Sequence, residues 1–325
     1  MSSVCLAPQA GKKVVVIATG GTIAGRAASA ADHVGYTAGE VGVELLLAAV
    51  PDLNAWAVEA EQLAQIDSKD MDAEVWGRLL QRCQHWLAQP GVGGLVITHG
   101  TDTIEETAYF LHATLRPKLP VVLTCAMRPA NALLADGPQN LLDALVVAEQ
   151  VEAGAVMVVC GATVHAAQEV HKVHAWRLDP FSSGDEGPLA HVVHGELRQR
   201  RNWPQPVQAV TPALLKALEE PSSWPRVEIV TSHAGADGAL VDALLAAPMA
   251  RPVRGLVVAG TGGGTVNQAL EAALLRAQSS GVKVVRASRS CAGNVRAQPD
   301  QRLPLAEGLT PAKARIALML DLMSA

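Results

Sequence analysis

Residues 14–25 read VVVIATGGTIAG. The run Val14–Thr19 is β-branched and apolar with no polar alternation. A strand with one wet face alternates, whereas a strand covered on both faces of a parallel sheet does not. The run stops at Gly20-Gly21, and glycine pairs mark tight turns. Outward along the chain the same pattern recurs at Leu95–Thr98, Val121–Cys125, Ala155–Cys160, Val227–Thr231, Leu256–Ala259 and Val282–Arg286. A helical pattern follows each run. Met71, Val75, Leu79, Cys83 and Trp86 share one face of a helix predicted over 71–87. Thr103 with Glu106 and Thr265 with Gln268 predict capping boxes. Thr211-Pro212 and Thr310-Pro311 predict an N-cap followed by proline at the first helical position. This alternation predicts an α/β fold, with a mostly parallel, doubly wound sheet in a larger N-terminal domain and a smaller α/β C-terminal domain.

At roughly 150 residues per domain, 325 residues suggest about two domains. Prolines 204, 206, 221 and 225 forbid a continuous helix or central strand across Arg198–Pro225. The expected division is 1–200, a linker over 201–223, and 224–325. Hydrophobic residues at 49% and charged residues at 18% supply a full core and exclude disorder. A net charge of −5, no basic block, and only six Trp, two Tyr and two Phe argue against a nucleic-acid partner. The start, MSSVCLAPQAGKK, lacks the apolar stretch of a secretory signal, and no run is long enough to span a membrane. A cytoplasmic protein is expected, or a periplasmic one if a leader has been removed. Five scattered cysteines with no CxxC pair predict neither disulfides nor a thiolate zinc site, and Cys125 and Cys160 read as buried small hydrophobes. The histidines at 165, 171, 174, 191 and 194 lack HExxH spacing, so no metal is expected.

In open parallel sheets ligands sit beyond the carboxyl ends of the strands. The first run exits into Thr19-Gly20-Gly21-Thr22-Ile23-Ala24-Gly25, another into Thr98-His99-Gly100-Thr101-Asp102-Thr103. Glycine admits a substrate to the backbone, whose N–H groups can stabilise an oxyanion. Threonine supplies a hydroxyl nucleophile once its proton is removed. The same residues also make ordinary tight turns and helix caps. Neither turn fits a phosphate loop, and Gly260–Thr265 reads equally as an anion cradle or a connection. Residues 25–39 form a long aperiodic stretch of the kind that makes lids, with Tyr36 near its end; that ring reads as a phenol donor or as an anchor. Lys172 follows the fourth run. Residue type alone fits a relay lysine or a solvated surface one.

Taken together, ATGGTIAG (18–25), ITHGTDTIEETAYFL (97–111) and AMRPANALLADGPQNLLDA (126–144) resemble the bacterial L-asparaginase family. IDSKDM (66–71) and Tyr36–Gly42 add to the likeness, which runs in order through nearly the whole chain. The resemblance implies two α/β domains and a homotetramer built as a dimer of dimers, with sites between neighbouring subunits. It implies hydrolysis of the small molecule L-asparagine to L-aspartate and ammonia with no cofactor, glutamine being a weaker substrate. By position it makes Thr22 the nucleophile, assisted by Tyr36. Thr101, Lys172 and Asp102 form a second hydroxyl–lysine–carboxylate group. Asp102 also meets the substrate ammonium, and Ser68 its α-carboxylate. The backbone at Gly21, Gly100, Thr101 and Ala126 contacts the scissile amide.

Three positions depart from the pattern of secreted members. Lys69 stands where Gln is usual, which predicts an altered substrate wall and a preference for asparagine. Gly263 stands where Asn is frequent. The neighbour's Glu that meets the ammonium has no clean match, Asp300 being nearest. Other readings are a glutaminase-asparaginase, an ammonia-releasing amidotransferase subunit, or a non-catalytic amino-acid sensor on the same scaffold. Only thirteen residues precede the first run, which counts against the amidotransferase.

Overall fold

The computed structural model describes residues 12–32, 34–50, 53, 56–205, 210–246, 250–293, 295–297 and 301–324. The chain divides into two compact units, 1–208 and 209–325. The first contains β1 (Lys13–Gly20), β2 (Arg26–Ala27), β3 (Tyr36–Thr37), α1 (Val43–Ala48), β4 (Val58–Ile66), α2 (Ala73–Leu87), β5 (Val92–Thr98), α3 (Ile104–Leu115), β6 (Val121–Thr124) and α4 (Gly137–Gln150). It continues through β7 (Val156–Cys160), β8 (Thr163–Ala166), β9 (His171–Lys172), β10 (Phe181–Ser182), β11 (Ala190–Val193) and β12 (Glu196–Gln199).

Eight of these strands form one sheet in the order β12-β11-β8-β7-β6-β5-β1-β4. The strands β4, β1, β5, β6 and β7 run parallel, as their apolar runs predict. Val15, Val16 and Ile17 are wholly buried, as strands covered on both faces must be. Val14, Val16 and Ala18 pack with Leu141, Leu145 and Val147 of α4. By the two-residue period, Val15 and Ile17 face the other side. The sheet's remaining strands are antiparallel. Two tight hairpins make that reversal. Gly161 and Ala162 between β7 and β8 have φ of +57° and +59°, and His194 and Gly195 between β11 and β12 have +52° and +75°. Two consecutive left-handed residues are what a type I′ hairpin loop requires.

The order β4-β1-β5-β6-β7 reverses direction at β1. The chain leaves β1 to one side to make β4, then crosses to the other side to make β5. A crevice therefore opens at the carboxyl ends of β1 and β5, where such sheets bind ligands.

The second unit holds α5 (Pro212–Leu218), β13 (Arg226–Thr231), α6 (Ala239–Ala246), β14 (Val253–Gly260), α7 (Gln268–Ser279), β15 (Lys283–Ser288) and α8 (Pro311–Ser324). Its three strands are parallel, with β14 central. Val258, Leu270, Leu274 and Val284 belong to its core. The Thr211 hydroxyl oxygen accepts from the Leu214 N–H, so that cap forms as expected. Thr310 likewise accepts from Lys313 N–H. Both capping boxes need correction. Asn267, not Thr265, caps α7, its side chain accepting from Ala269 and Leu270. Thr103 stands at the N-cap of α3 without a side-chain capping bond, and its hydroxyl donates instead to the Ser68 carbonyl, 2.7 Å away.

Candidate active site

Three strand ends are pressed together at the crevice. Gly20 and Gly21 have φ of +108° and +81°. A β-carbon on Gly20 would fall 2.4 Å from the Ile66 carbonyl oxygen at the end of β4. One on Gly100 would fall 2.4 Å from Ser68 Oγ. The Thr19 hydroxyl donates to the Thr98 carbonyl at 2.8 Å, tying β1 to β5.

Thr22 lies in a single 3-10 turn directly after β1 and is nearly buried. Its Oγ1 sits 2.7 Å from the Tyr36 hydroxyl. The stretch 25–39 is more regular than its composition suggests. Ala27 pairs with Tyr36 in a small β2–β3 hairpin, and Asn131 bonds both the N–H and the carbonyl of Ala27. Gly25 admits the ring, since a β-carbon there would lie 2.9 Å from Tyr36 Cδ2. Gly39 N–H donates to the Gly21 carbonyl, which pins the far end of the stretch to the β1 exit.

The second group comes from β5 and β9. Lys172 Nζ donates to Thr101 Oγ1 at 2.8 Å and to Asp102 Oδ1 at 2.6 Å, while Thr101 Oγ1 lies 3.5 Å from the same carboxylate oxygen. The Lys172 side chain is 20% exposed, between the two readings its residue type allowed. The carboxylate of Glu105, in the first turn of α3, accepts from the Lys172 backbone N–H at 2.7 Å and holds β9 in place. Ser68 is buried and its Oγ accepts from Asp102 N–H. A cavity of about 520 Å³ is lined by Thr22, Tyr36, Thr101, Asp102, Met127 and Lys172, with His174 and Trp176 at its outer wall.

The Lys69 expectation is corrected. Its ammonium pairs with Asp67 and lies 3.7 Å from Asp70, and the side chain is 63% exposed and absent from the cavity wall. The hydrogen bond with Asp67 raises its pKa. Two carboxylates flanking it in the same turn attract the ammonium outward. Ala126 is fully buried among Ile23, Ala24 and Leu46, so its side chain is core, and Met127 is the neighbour that reaches the cavity. Asp300 lies outside the described residues. The Cys125 thiol is pushed up by its hydrogen bond with Cys160 and by burial, which leaves it protonated and no rival nucleophile. Among the described residues no group of three or more His, Cys, Asp or Glu is placed to hold a metal ion. No described helix is long and apolar enough to cross a membrane.

Several contributors escaped the sequence reading. Glu105 is one. Asp136 is another, its carboxylate accepting from Met127 and Arg128 N–H, while Asn140 bonds the Cys125 carbonyl and the Gly161 N–H. Both residues stand where α4 begins, in the stretch ADGPQN, and together they shape the β6 exit.

Comparison with known proteins matches residues 13–205 to the N-terminal asparaginase domain and residues 226–324 to the glutaminase/asparaginase C-terminal domain. The chain belongs to the asparaginase family. It is 38% identical over 317 residues to L-asparaginase 2 of Escherichia coli (strain K12), covering 95% of this chain and 88% of that one. It is 36% identical over 313 residues to L-asparaginase 2 of Bacillus subtilis (strain 168), covering 94% and 81%. Glutaminase-asparaginase of Pseudomonas fluorescens biotype A is 36% identical over 318 residues, covering 95% and 86%. Among solved structures, one described as a "probable cytoplasmic L-asparaginase" from Campylobacter jejuni superimposes with a TM-score of 0.88 at 38% identity, covering 97% of this chain and 96% of that one. This asparaginase-family chain is thus an amidohydrolase with the two-domain α/β fold of its relatives.

Proposed function

We propose that this chain hydrolyses L-asparagine to L-aspartate and ammonia through an acyl-enzyme on Thr22. The observation that carries the reading is the 2.7 Å contact between Thr22 Oγ1 and the Tyr36 hydroxyl, in the same cavity as the Thr101–Lys172–Asp102 group. An amide is a poor electrophile. It needs an activated hydroxyl, a cradle for the oxyanion, and a proton for departing ammonia. Tyr36 assists removal of the Thr22 proton as Oγ attacks the side-chain carbonyl. The backbone around Gly21, Gly100, Thr101 and Ala126 contacts the scissile amide and supplies the cradle for the oxyanion. The C–N bond breaks, ammonia leaves protonated, and an ester remains on Thr22. Water, deprotonated with help from Thr101 and Lys172, then splits that ester and regenerates the hydroxyl. Ser68 receives the substrate α-carboxylate and Asp102 its ammonium. No cofactor enters this scheme.

The reading extends to glutamine as a weaker substrate, which the glutaminase-asparaginase relative supports. It extends also to a homotetramer in the cytoplasm, supported by the family resemblance and by the description of the Campylobacter neighbour. The reading takes residues 1–200 as the catalytic domain, 201–223 as the linker and 224–325 as the second domain, while the compact units divide at 208/209 and so count α5 with the second. A coupled ammonia assay on purified protein with asparagine and glutamine tests the function. Release from asparagine with higher kcat/KM is expected. No release from either amide overturns the reading in favour of a binding protein.

A further inference from the structure

His99 is wholly buried directly before Gly100 of the site, yet the proposed reaction does not use it. Its Nδ1 lies 2.8 Å from the Gly100 carbonyl oxygen and its Nε2 lies 2.9 Å from Thr107 Oγ1. Trp76 Nε1 donates to that same Thr107 oxygen at 2.9 Å. A carbonyl oxygen only accepts and an indole N–H only donates. These two ends fix every proton between them. Trp76 N–H donates to Thr107 oxygen, the Thr107 hydroxyl donates to His99 Nε2, and His99 Nδ1–H donates to Gly100. Burial pushes the imidazole down to about 4, so it stays neutral at physiological pH and one tautomer is left. The indole is itself held, stacked on Phe110 at 5.0 Å between ring centroids.

We propose that His99 is a positioning residue for the amide hydrolysis, holding the Gly100–Thr101 peptide in its working orientation through the Trp76–Thr107–His99–Gly100 chain. The inference rests on the reading of Thr22 and Thr101 as the reacting site. A peptide unit is planar and trans, so its carbonyl and its N–H point to opposite sides. His99 draws the Gly100 carbonyl into the interior, and the Thr101 N–H on the same unit then faces away from that interior. Rotation of this one unit would move the Thr101 hydroxyl from Lys172 and disturb the Gly21–Gly100 contact. Glycine at position 100 has no side chain to resist such rotation, so a partner must supply the resistance.

Two substitutions separate the ends of the chain. His99→Asn keeps an N–H donor where Nδ1 stands and loses the Thr107 partner. His99→Gln keeps a group where Nε2 stands and loses the Gly100 donor. With wild-type protein active on asparagine, His99→Asn is expected to keep kcat within about fivefold. His99→Gln is expected to lose at least about thirtyfold in kcat with KM changed less than about threefold, since the loss falls on the transition state. Equal losses, or no loss in His99→Gln, overturn the proposal. Should a variant not fold, nitrogen-15 NMR of the wild-type imidazole decides. A Nδ1–H tautomer that does not titrate between pH 5 and 8 is expected, and a Nε2–H tautomer or a titration in that range overturns it. An inactive wild type would instead strike the functional reading, which the ammonia assay reports on its own.

Discussion

A β-carbon on Gly21 would lie 2.3 Å from the amide nitrogen of Gly100. The loops leaving β1 and β5 therefore meet backbone to backbone, and each glycine is followed directly by a threonine of the cavity wall. Gly21 has φ +81° and ψ −173°, a region open essentially to glycine alone, so Gly21→Ala is expected to cost about 1–3 kcal/mol in backbone strain, with a further cost as the loops part. A displacement near 1 Å costs on the order of 10²-fold in rate. Steady-state kinetics on folded Gly21→Ala check this. Wild-type kcat would show that the contact is not needed.

Thr22→Val keeps the shape of the side chain and removes its oxygen. A kcat loss on the order of 10³-fold or more is expected with the melting temperature little changed. Thr22→Ser should retain measurable turnover, because the hydroxyl remains. Near-normal turnover in Thr22→Val would remove this residue from the reaction.

Lys172→Met breaks both the Thr101 and the Asp102 contacts. Loss of an acid–base group lowers kcat by about 10²- to 10⁴-fold. Lys172→Arg is not expected to rescue, since a planar fork cannot replace a point donor to two oxygens on adjacent residues. A rapid-quench experiment shows which half-reaction suffers. One equivalent of ammonia released fast, then slow turnover, places the loss in ester hydrolysis.

Lys69→Gln is expected to leave the asparagine/glutamine ratio of kcat/KM within about twofold of wild type. Exposed ion pairs contribute little, and this one faces away from the cavity. A tenfold change in the ratio would return Lys69 to the substrate wall.

Acid stability carries a signature of His99. Its imidazole titrates at about 4 in the folded chain, against about 6.5 when free. Between those values the unfolded chain binds the proton and the folded chain does not. The stability is complete above about pH 6.5 and is lost as pH falls toward 4, by up to about 3 kcal/mol. Urea midpoints at pH 7.5 and pH 5 should fall further for wild type than for His99→Gln. Equal falls would return His99 to an ordinary imidazole.

The parallel strands were legible because burial on both faces demands unbroken apolar runs, as in Val14–Thr19 and Val121–Thr124. The strand β4 was not, since VEAEQLAQI lies at the sheet edge with much of its surface wet and its polar residues outward. The hairpins at Gly161-Ala162 and His194-Gly195 were hidden because alanine and histidine do not announce a left-handed backbone. At the site, Thr22, Tyr36, Thr101, Asp102 and Lys172 come to one cavity from four separate segments. The resemblance of the motifs around them to the asparaginase family named them. Glu105, Asp136 and His99 carry no such mark, because what they hold is backbone, and only the folded chain shows which backbone is in reach. The outward turn of Lys69 is not legible in sequence, because a position says nothing of which way a long side chain points.

The place of β1 between β4 and β5 has a cost during synthesis. Its partners on either side are β4 and β5, and the later of these ends at Thr98, whereas β1 ends at Gly20. At about 5–20 residues per second, the run VVVIAT waits on the order of ten seconds outside the ribosome with at least one edge unpaired. Such a run is a template for pairing with other chains. The strand that delivers Thr22 to the cavity is thus also one that is open to pairing with other chains while this chain is still growing.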